Sequence, residues 1–220
     1  MVKSHLIRLG FTLFLYFIYK YTVSCSENKS SESRLALIIT LSSRNKLVEY
    51  FEWSCRSIGA SKHLVDLLVF HENNERIKNI NCAPNVKFIN IGENGLAEAI
   101  VHSIVDQESS NAEVLSQLIG VVNNIMLHIP MYLVEVKPMM GFAFKKYLKD
   151  YSHWSSTDPD IIWGRLDEWI DPADAEEYDI LTIAENLDSG RLYLRNQVIH
   201  LKPFPDVGID YLFSISLNFF

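Results

Sequence analysis

The chain has 220 residues, 48 % of them hydrophobic and 21 % charged, a balance that excludes a disordered chain and fits one folded domain of ordinary size. Its formal charge of −7 and pI near 5.5 argue against a nucleic-acid binder, which would present a basic face. Three cysteines are too few for a disulfide scaffold.

The N-terminus reads as a targeting segment. Lys3 and Arg8 precede the uncharged run Leu9–Tyr19, and Lys20 closes it. As a helix this run rises about 16 Å, against a hydrocarbon core of about 30 Å. That length suits the apolar region of a signal peptide, with Val23 and Cys25 before the cleavage point. A short signal-anchor, with Arg8 and Lys20 snorkelling, is the other reading. Both expectations route the chain into the secretory pathway: residues 1–25 as signal peptide or anchor, and 26–34 as a flexible polar stem carrying the sequon Asn28-Lys29-Ser30. In an oxidising lumen Cys55 and Cys82 would either pair or stay as buried thiols.

From residue 35 to 220 the pattern predicts one α/β domain. Leu35–Thr40 is a continuous apolar run with β-branched residues, as expected of a strand buried on both faces. Leu47, Phe51, Cys55 and Ile58 recur at helical spacing, and Gly59 is expected to end that helix. Leu64–Phe70 and Val86–Ile91 read as the second and third strands. A strand, helix, strand succession implies a parallel sheet. Leu96–Val105 and Val114–Leu127 are helical by period. Pro130 and Pro138 break the chain around Met131–Lys137, and Met139–Tyr147 is a further amphipathic segment. Tyr178–Ile183 and Arg191–Arg195 read as later strands.

Several chemistries are unsupported by motif. There is no Gly-x-Gly-x-x-Gly, no Walker Gly-Lys-Ser/Thr, no Gly-x-Ser-x-Gly, no Cys-x-x-Cys and no His-Glu-x-x-His. The seven histidines are scattered, which is the pattern of surface or satisfied core residues rather than of a ligand set.

The informative stretch is Tyr151–Gly164, with Asp158-Pro159-Asp160 at its centre. Carboxylates two residues apart on extended chain point to one side, and Pro159 pushes Asp158 towards extended geometry. Two hard oxygen ligands leave the rest of a coordination octahedron to phosphate oxygens and water, the arrangement Mg²⁺ or Mn²⁺ takes on a diphosphate. The competing reading makes Asp158 a helix N-cap with Pro159 in the first turn. Asp171-Pro172-Ala-Asp174 has that composition too and is expected to do only that.

Lys137-Pro138-Met-Met-Gly141-Phe-Ala-Phe144, then Tyr147–Tyr151, Trp154 and Thr157-Asp158-Pro159-Asp160-Ile-Ile-Trp-Gly164 resemble glycosyltransferase-like proteins of the GT-A fold. In these a Lys-Pro-x-x-Gly helix precedes an Asp-x-Asp strand. Phe51–Cys55 with Leu64–Phe70, and Tyr178–Ile180 followed by Gly190–Asn196, resemble further pieces of that family in the same order. The resemblance spans about residues 35–197, and departs at Arg165 and Arg191 from the acidic residue and the histidine of the family pattern.

The resemblance implies a Rossmann-like, mostly parallel sheet flanked by helices, shortened at its C-terminal end. It implies a transferase that takes a sugar from a nucleotide-sugar donor to a glycan, protein or lipid acceptor in the ER or Golgi lumen. Asp158 and Asp160 would hold Mn²⁺ or Mg²⁺ on the donor diphosphate. Lys137 would face the donor phosphates, its plainer reading being a surface lysine at a helix start. Thr40, at a strand end, would meet the nucleoside, because ligands gather outside the carboxyl ends of parallel strands; its plainer reading is an ordinary strand-end threonine. Trp154 and Trp163 would line a sugar pocket or pack in the core. No catalytic base is assigned. Two alternatives stand beside the transferase: a catalytically incomplete GT-A relative that acts as a binding protein, and an unrelated secreted α/β hydrolase or binding domain.

Overall fold

A computed structural model describes residues 34–42, 47–105, 111–129, 131–177, 180–182 and 199–201. The expected targeting segment, the expected stem up to residue 33, the expected strand Arg191–Arg195, and most of the chain after residue 182 lie outside the described residues; Arg34, counted with the flexible stem, is instead held against Asp66. Among those described, no helix is long and apolar enough to cross a membrane.

The chain runs β1 (Leu35–Leu41), α1 (Phe51–Ser57), β2 (Val65–His71), β3 (Val86–Asn90), α2 (Gly95–Ile104), α3 (Ala112–His128), α4 (Tyr132–Glu135), α5 (Met140–Ala143), β4 (His153–Ser156), α6 (Pro172–Glu177), β5 (Ile180–Thr182) and β6 (Ile199–Leu201). The sheet order is β3-β2-β1-β4-β6-β5. The first four of these strands are parallel, and β6 pairs antiparallel with both β4 and β5. This is the α/β class expected, with a parallel sheet flanked by helices.

The unbroken apolar runs follow from burial on both faces. Leu35, Leu37, Ile39 and Leu41 of β1 join Val65, Leu67 and Val69 of β2 on one face, where they meet Phe51, Cys55 and Ile58 from α1 and its extension. Ala36, Ile38, Leu68 and Phe70 face the other way, onto Leu96 and Ile100 of α2 and onto Val136, Met140 and Phe144 around α5. Phe70 stacks on Phe144 with ring centroids 3.7 Å apart. This alternation puts the two helical layers on opposite sides of β1 and β2.

Three local expectations differ from the structure. The helix foreseen from Leu47 begins only at Phe51, and Gly59 does not end it, because a 3-10 turn continues over Ile58–Ser61. Gly59 instead admits the chain before β3: a Cβ there would lie 2.8 Å from Cβ of Ala83. The segment Met139–Tyr147 is three short turns, Lys137–Met139, Met140–Ala143 and Lys145–Tyr147, rather than one helix.

The amino edge of the parallel sheet is held by a buried charge. Asp66, in the first turn of pleat of β2, is 1 % exposed. Arg34 donates to it from Nε at 3.1 Å and again from Nη2. Lys87 of β3 donates at 2.8 Å, and the Tyr151 hydroxyl, just before β4, donates at 2.7 Å. Each of the four parallel strands thus supplies one member at its start. Burial alone would raise the Asp66 pKa. The hydrogen bonds from Arg34, Lys87 and Tyr151 outweigh it and hold the carboxyl below its ordinary 3.8.

A carboxyl depressed in the folded state stabilises fully above its unfolded pKa of about 3.9, and that contribution is lost as pH falls through the folded value. Urea unfolding between pH 5 and pH 2 is therefore expected to show a loss of stability below about pH 4 in the wild type that is reduced in Asp66→Asn. Asp66→Ala should cost about 1–3 kcal/mol at pH 7, because the Tyr151 hydroxyl loses its acceptor while Arg34 and Lys87, both partly exposed, are solvated instead.

Candidate functional site

The strand order creates a topological switch point. From β1 the chain moves outward to β2 and β3, then returns to β4 on the other side of β1. In open α/β sheets the crevice beyond the carboxyl ends of the two strands flanking such a point is where ligands collect. Here those strands are β1 and β4.

Thr40 lies near the carboxyl end of β1, half-buried. β4 runs beside it in the register Ile38↔Ser156. The ladder continues past the strand, since Thr157 N donates to Ile38 O at 2.9 Å. The same register carried on from Ser156 sets Asp158 level with Thr40. The sequence-predicted Asp158-Pro159-Asp160 therefore sits at the end of an interior strand, on the switch-point edge. Asp158 is half-buried and Asp160 is exposed in the turn that follows.

Asp158 caps no helix: residues 157–165 are turn and irregular chain, followed by a 3-10 turn at Leu166–Glu168. Asp171 does what was expected of it. Its Oδ1 accepts from Ala173 N at 2.9 Å at the start of α6. Two Asp-Pro pairs of the same composition thus have different structural roles.

Lys137 meets Asp158 directly. Its Nζ donates to Asp158 Oδ1 at 2.6 Å, with the lysine side chain 13 % exposed and the aspartate side chain 34 % exposed. The packing of α5 explains the meeting: that helix lies on Trp154 of β4, and Lys137 opens the 3-10 turn leading into it, which brings the lysine to the chain leaving the strand. Pro138, the second residue of that turn, suits it because its missing N–H would have no partner so near the start.

Gly141 sets the spacing. A Cβ at this position would lie 2.6 Å from Nε1 of Trp154 and closer still to Cε2 and Cζ2. Only a residue without a side chain lets the indole lie against the helix backbone. Trp154 is 3 % exposed, and Trp163, at 7 %, belongs to the core on the opposite face. Core packing is thus what the structure gives both tryptophans. The Lys-Pro-x-x-Gly pattern becomes mechanical: the glycine docks the helix on β4, and the lysine one turn earlier reaches the carboxylate at the end of that strand.

Among the described residues no group of three or more His, Cys, Asp or Glu side chains gathers as a metal site. The donors the sequence singled out are Asp158, at the end of the strand ladder, and Asp160, in the turn that follows it, so the extended chain expected to aim both carboxylates to one side ends before Asp160; both are hard oxygen ligands. Sequence reading did not select Thr157 as a site residue. Its hydroxyl, between Ser156 and Asp158, is buried and has no hydrogen-bond partner. The apolar setting of a lone hydroxyl can be foreseen from sequence; its lack of a partner cannot. Nor did sequence reading find Glu72, at the carboxyl end of β2, whose Oε1 accepts from Leu96 N at 3.1 Å and satisfies the start of α2.

A family described as "Family of unknown function (DUF6625)" matches residues 45–197. No curated protein and no solved structure matches the chain.

Gly141→Ala is expected to push Trp154 from its seat and cost about 1–3 kcal/mol in chemical denaturation. Tryptophan fluorescence should shift with it, because the indole environment changes. Gly164→Ala, where a Cβ meets nothing within 4 Å, is the control and should leave the emission maximum unmoved.

Proposed function

The chain belongs to the DUF6625 family, whose function is unknown, and we propose that it is a metal-dependent glycosyltransferase of GT-A type. In this reading it moves a sugar from a nucleotide-sugar donor to a glycan, protein or lipid acceptor in the secretory pathway. The observation that supports it most is the placement of Asp158 at the switch-point edge, ion-paired to Lys137 at 2.6 Å.

The donor set fits a hard divalent cation. Asp158 and Asp160 supply two carboxylate oxygens, and Mg²⁺ or Mn²⁺ completes its octahedron with water and phosphate oxygens rather than with a full protein cage. When bound, such a cation neutralises charge that builds on a departing nucleoside diphosphate.

The remaining work falls to the chain's own side chains. Asp158 and Asp160 would hold the cation. Lys137, now balancing Asp158, is placed to turn its ammonium to a donor phosphate once another cation shares that carboxylate. Thr40, level with Asp158 on the neighbouring strand, stands where the nucleoside would enter the crevice. The alternative that Asp158 serves only as a helix cap, on which an unrelated hydrolase or binding domain depends, draws no support from a carboxylate that caps nothing. A catalytically incomplete relative would keep the same donor site, so a transfer assay separates it from an enzyme.

Calorimetry on the full chain with UDP and GDP, with and without Mn²⁺, tests the donor site. Nucleotide binding that requires Mn²⁺ and weakens tenfold or more in Asp160→Ala, a change of about 1.4 kcal/mol, is the expected result. A folded protein that binds neither nucleotide would overturn the reading. If nucleotide binds but no UDP- or GDP-sugar is turned over against a panel of acceptors, the binding-protein alternative replaces the enzyme.

Lys137→Met should separate two effects. Mn²⁺ alone should bind about threefold tighter, because no ammonium competes for Asp158. The nucleotide diphosphate should bind more weakly to the Mn²⁺-loaded variant, because one phosphate partner is gone.

A further inference from the structure

The end of α1 and the chain entering β3 are tied together at three places. Ala83 N donates to Cys55 O at 3.2 Å. The Asn85 side-chain amide donates to Ile58 O at 3.2 Å and to Val65 O at 2.8 Å. Gly59, lacking a Cβ, lets Ala83 come against the helix backbone. These ties fix the two backbones on either side of one pair of side chains, Cys55 and Cys82. Both belong to the same core cluster beneath the sheet.

Both thiols are free, Cys55 wholly buried and Cys82 half-buried. The backbone hydrogen bond from Ala83 brings its neighbour Cys82 alongside Cys55, and the interaction between the two thiols lowers the pKa of Cys82 while it and then burial push that of Cys55 up. Cys82 is thus the more exposed member of the pair and Cys55 the buried one. This is the division of labour of an attacking and a resolving cysteine.

The geometry points to a disulfide between Cys55 and Cys82 that staples the C-terminal turn of α1 to the approach to β3. With a small-molecule disulfide such as oxidised glutathione as oxidant, the Cys82 thiolate attacks one glutathione sulfur. The glutathione S–S bond breaks, and one glutathione leaves and takes up a proton. The Cys55 thiol then gives up its proton, and its sulfur attacks the Cys82 sulfur of the mixed disulfide. The second glutathione leaves and takes that proton. Two protein thiols are oxidised, and the oxidant is reduced to two thiols. The backbone bond between Ala83 and Cys55 keeps the two segments adjacent while the bond forms.

The third cysteine, Cys25, is removed from the test by Cys25→Ser. The full chain is equilibrated in oxidised and in reduced glutathione, blocked with N-ethylmaleimide, digested with trypsin and mapped by mass spectrometry. Under oxidised conditions the peptides 47–56 and 79–87 are expected as one linked species with no alkylated Cys55 or Cys82. Under reduced conditions both should be alkylated once the protein is unfolded. The oxidised form should melt roughly 5–10 °C above the reduced form, and Cys82→Ser should abolish that difference. Recovery of both cysteines as thiols from oxidised protein would overturn the assignment. So would arrest at a Cys82–glutathione adduct, since Cys55 would then have failed to resolve it. Peptide mapping needs no cysteine variant at positions 55 or 82, so the outcome does not depend on whether Cys82→Ser folds.

Discussion

The parallel sheet depends on one buried carboxylate. A sheet of four parallel strands has no hairpin to set its register, and each strand arrives from a distant part of the chain. Asp66 supplies the missing reference point. It accepts from Arg34 before β1, from Lys87 of β3 and from Tyr151 before β4, so all four strands start from one common centre. A slip of one residue in β2 would turn Asp66 to the α1 face and Leu67 away from it, leaving a charge without partners among Leu35, Leu37 and Phe51. Such a cluster adds little net stability compared with an apolar core of the same shape. Its effect is on which arrangement survives, because every alternative leaves the charge bare.

The two edges of the sheet therefore differ in kind. At the amino edge the charges are mutually satisfied around a buried carboxylate. At the carboxyl edge Asp158 has one ionic partner and remains partly open, Asp160 faces solvent, and Thr157 holds an unmatched hydroxyl. The packing of Gly141 against Trp154 connects this edge to the core. The indole sits between Ala36 and Ile38 of β1 and the turn of α5, so the position of Lys137 is inherited from the same layer that anchors Phe70 and Phe144. A rigid core thus sets the distance between the two charged groups that the proposed donor site uses.

Much of this was legible in the sequence because it rests on local pattern. The apolar runs at Leu35, Leu64 and Val86 became β1, β2 and β3, and the helical periods at Leu96 and Val114 became α2 and α3. The lead into Asp158 became β4, and Asp171 became a cap. What escaped was non-local. Asp66 appears in sequence as a lone acid inside an apolar run, while its partners lie 32, 21 and 85 residues away. The broken turns at Met139–Tyr147 have the apolar spacing of one helix. Docking Gly141 under Trp154 while returning Tyr147 to Phe70 divides them. The Lys137–Asp158 pair was foreseen as two residues near one ligand, and their direct ion pair follows only from the docking of α5 on β4.

α3, at 17 residues, is the longest helix among those described, and none of its residues is buried. Its start is held by Asn111, whose side chain accepts from Glu113 N at 2.8 Å, and its principal neighbour is α2 rather than the sheet. Its free energy of opening is thus separable from that of the layers beneath. In amide hydrogen exchange such an element behaves as its own cooperative unit, trading its protons through local fraying while β1 and β2 wait for the whole molecule to unfold. The protein then carries two stabilities within one domain, a core fixed by Asp66 and an outer helix whose order is set by its cap, its intrinsic propensity and a partly buried contact made chiefly with α2.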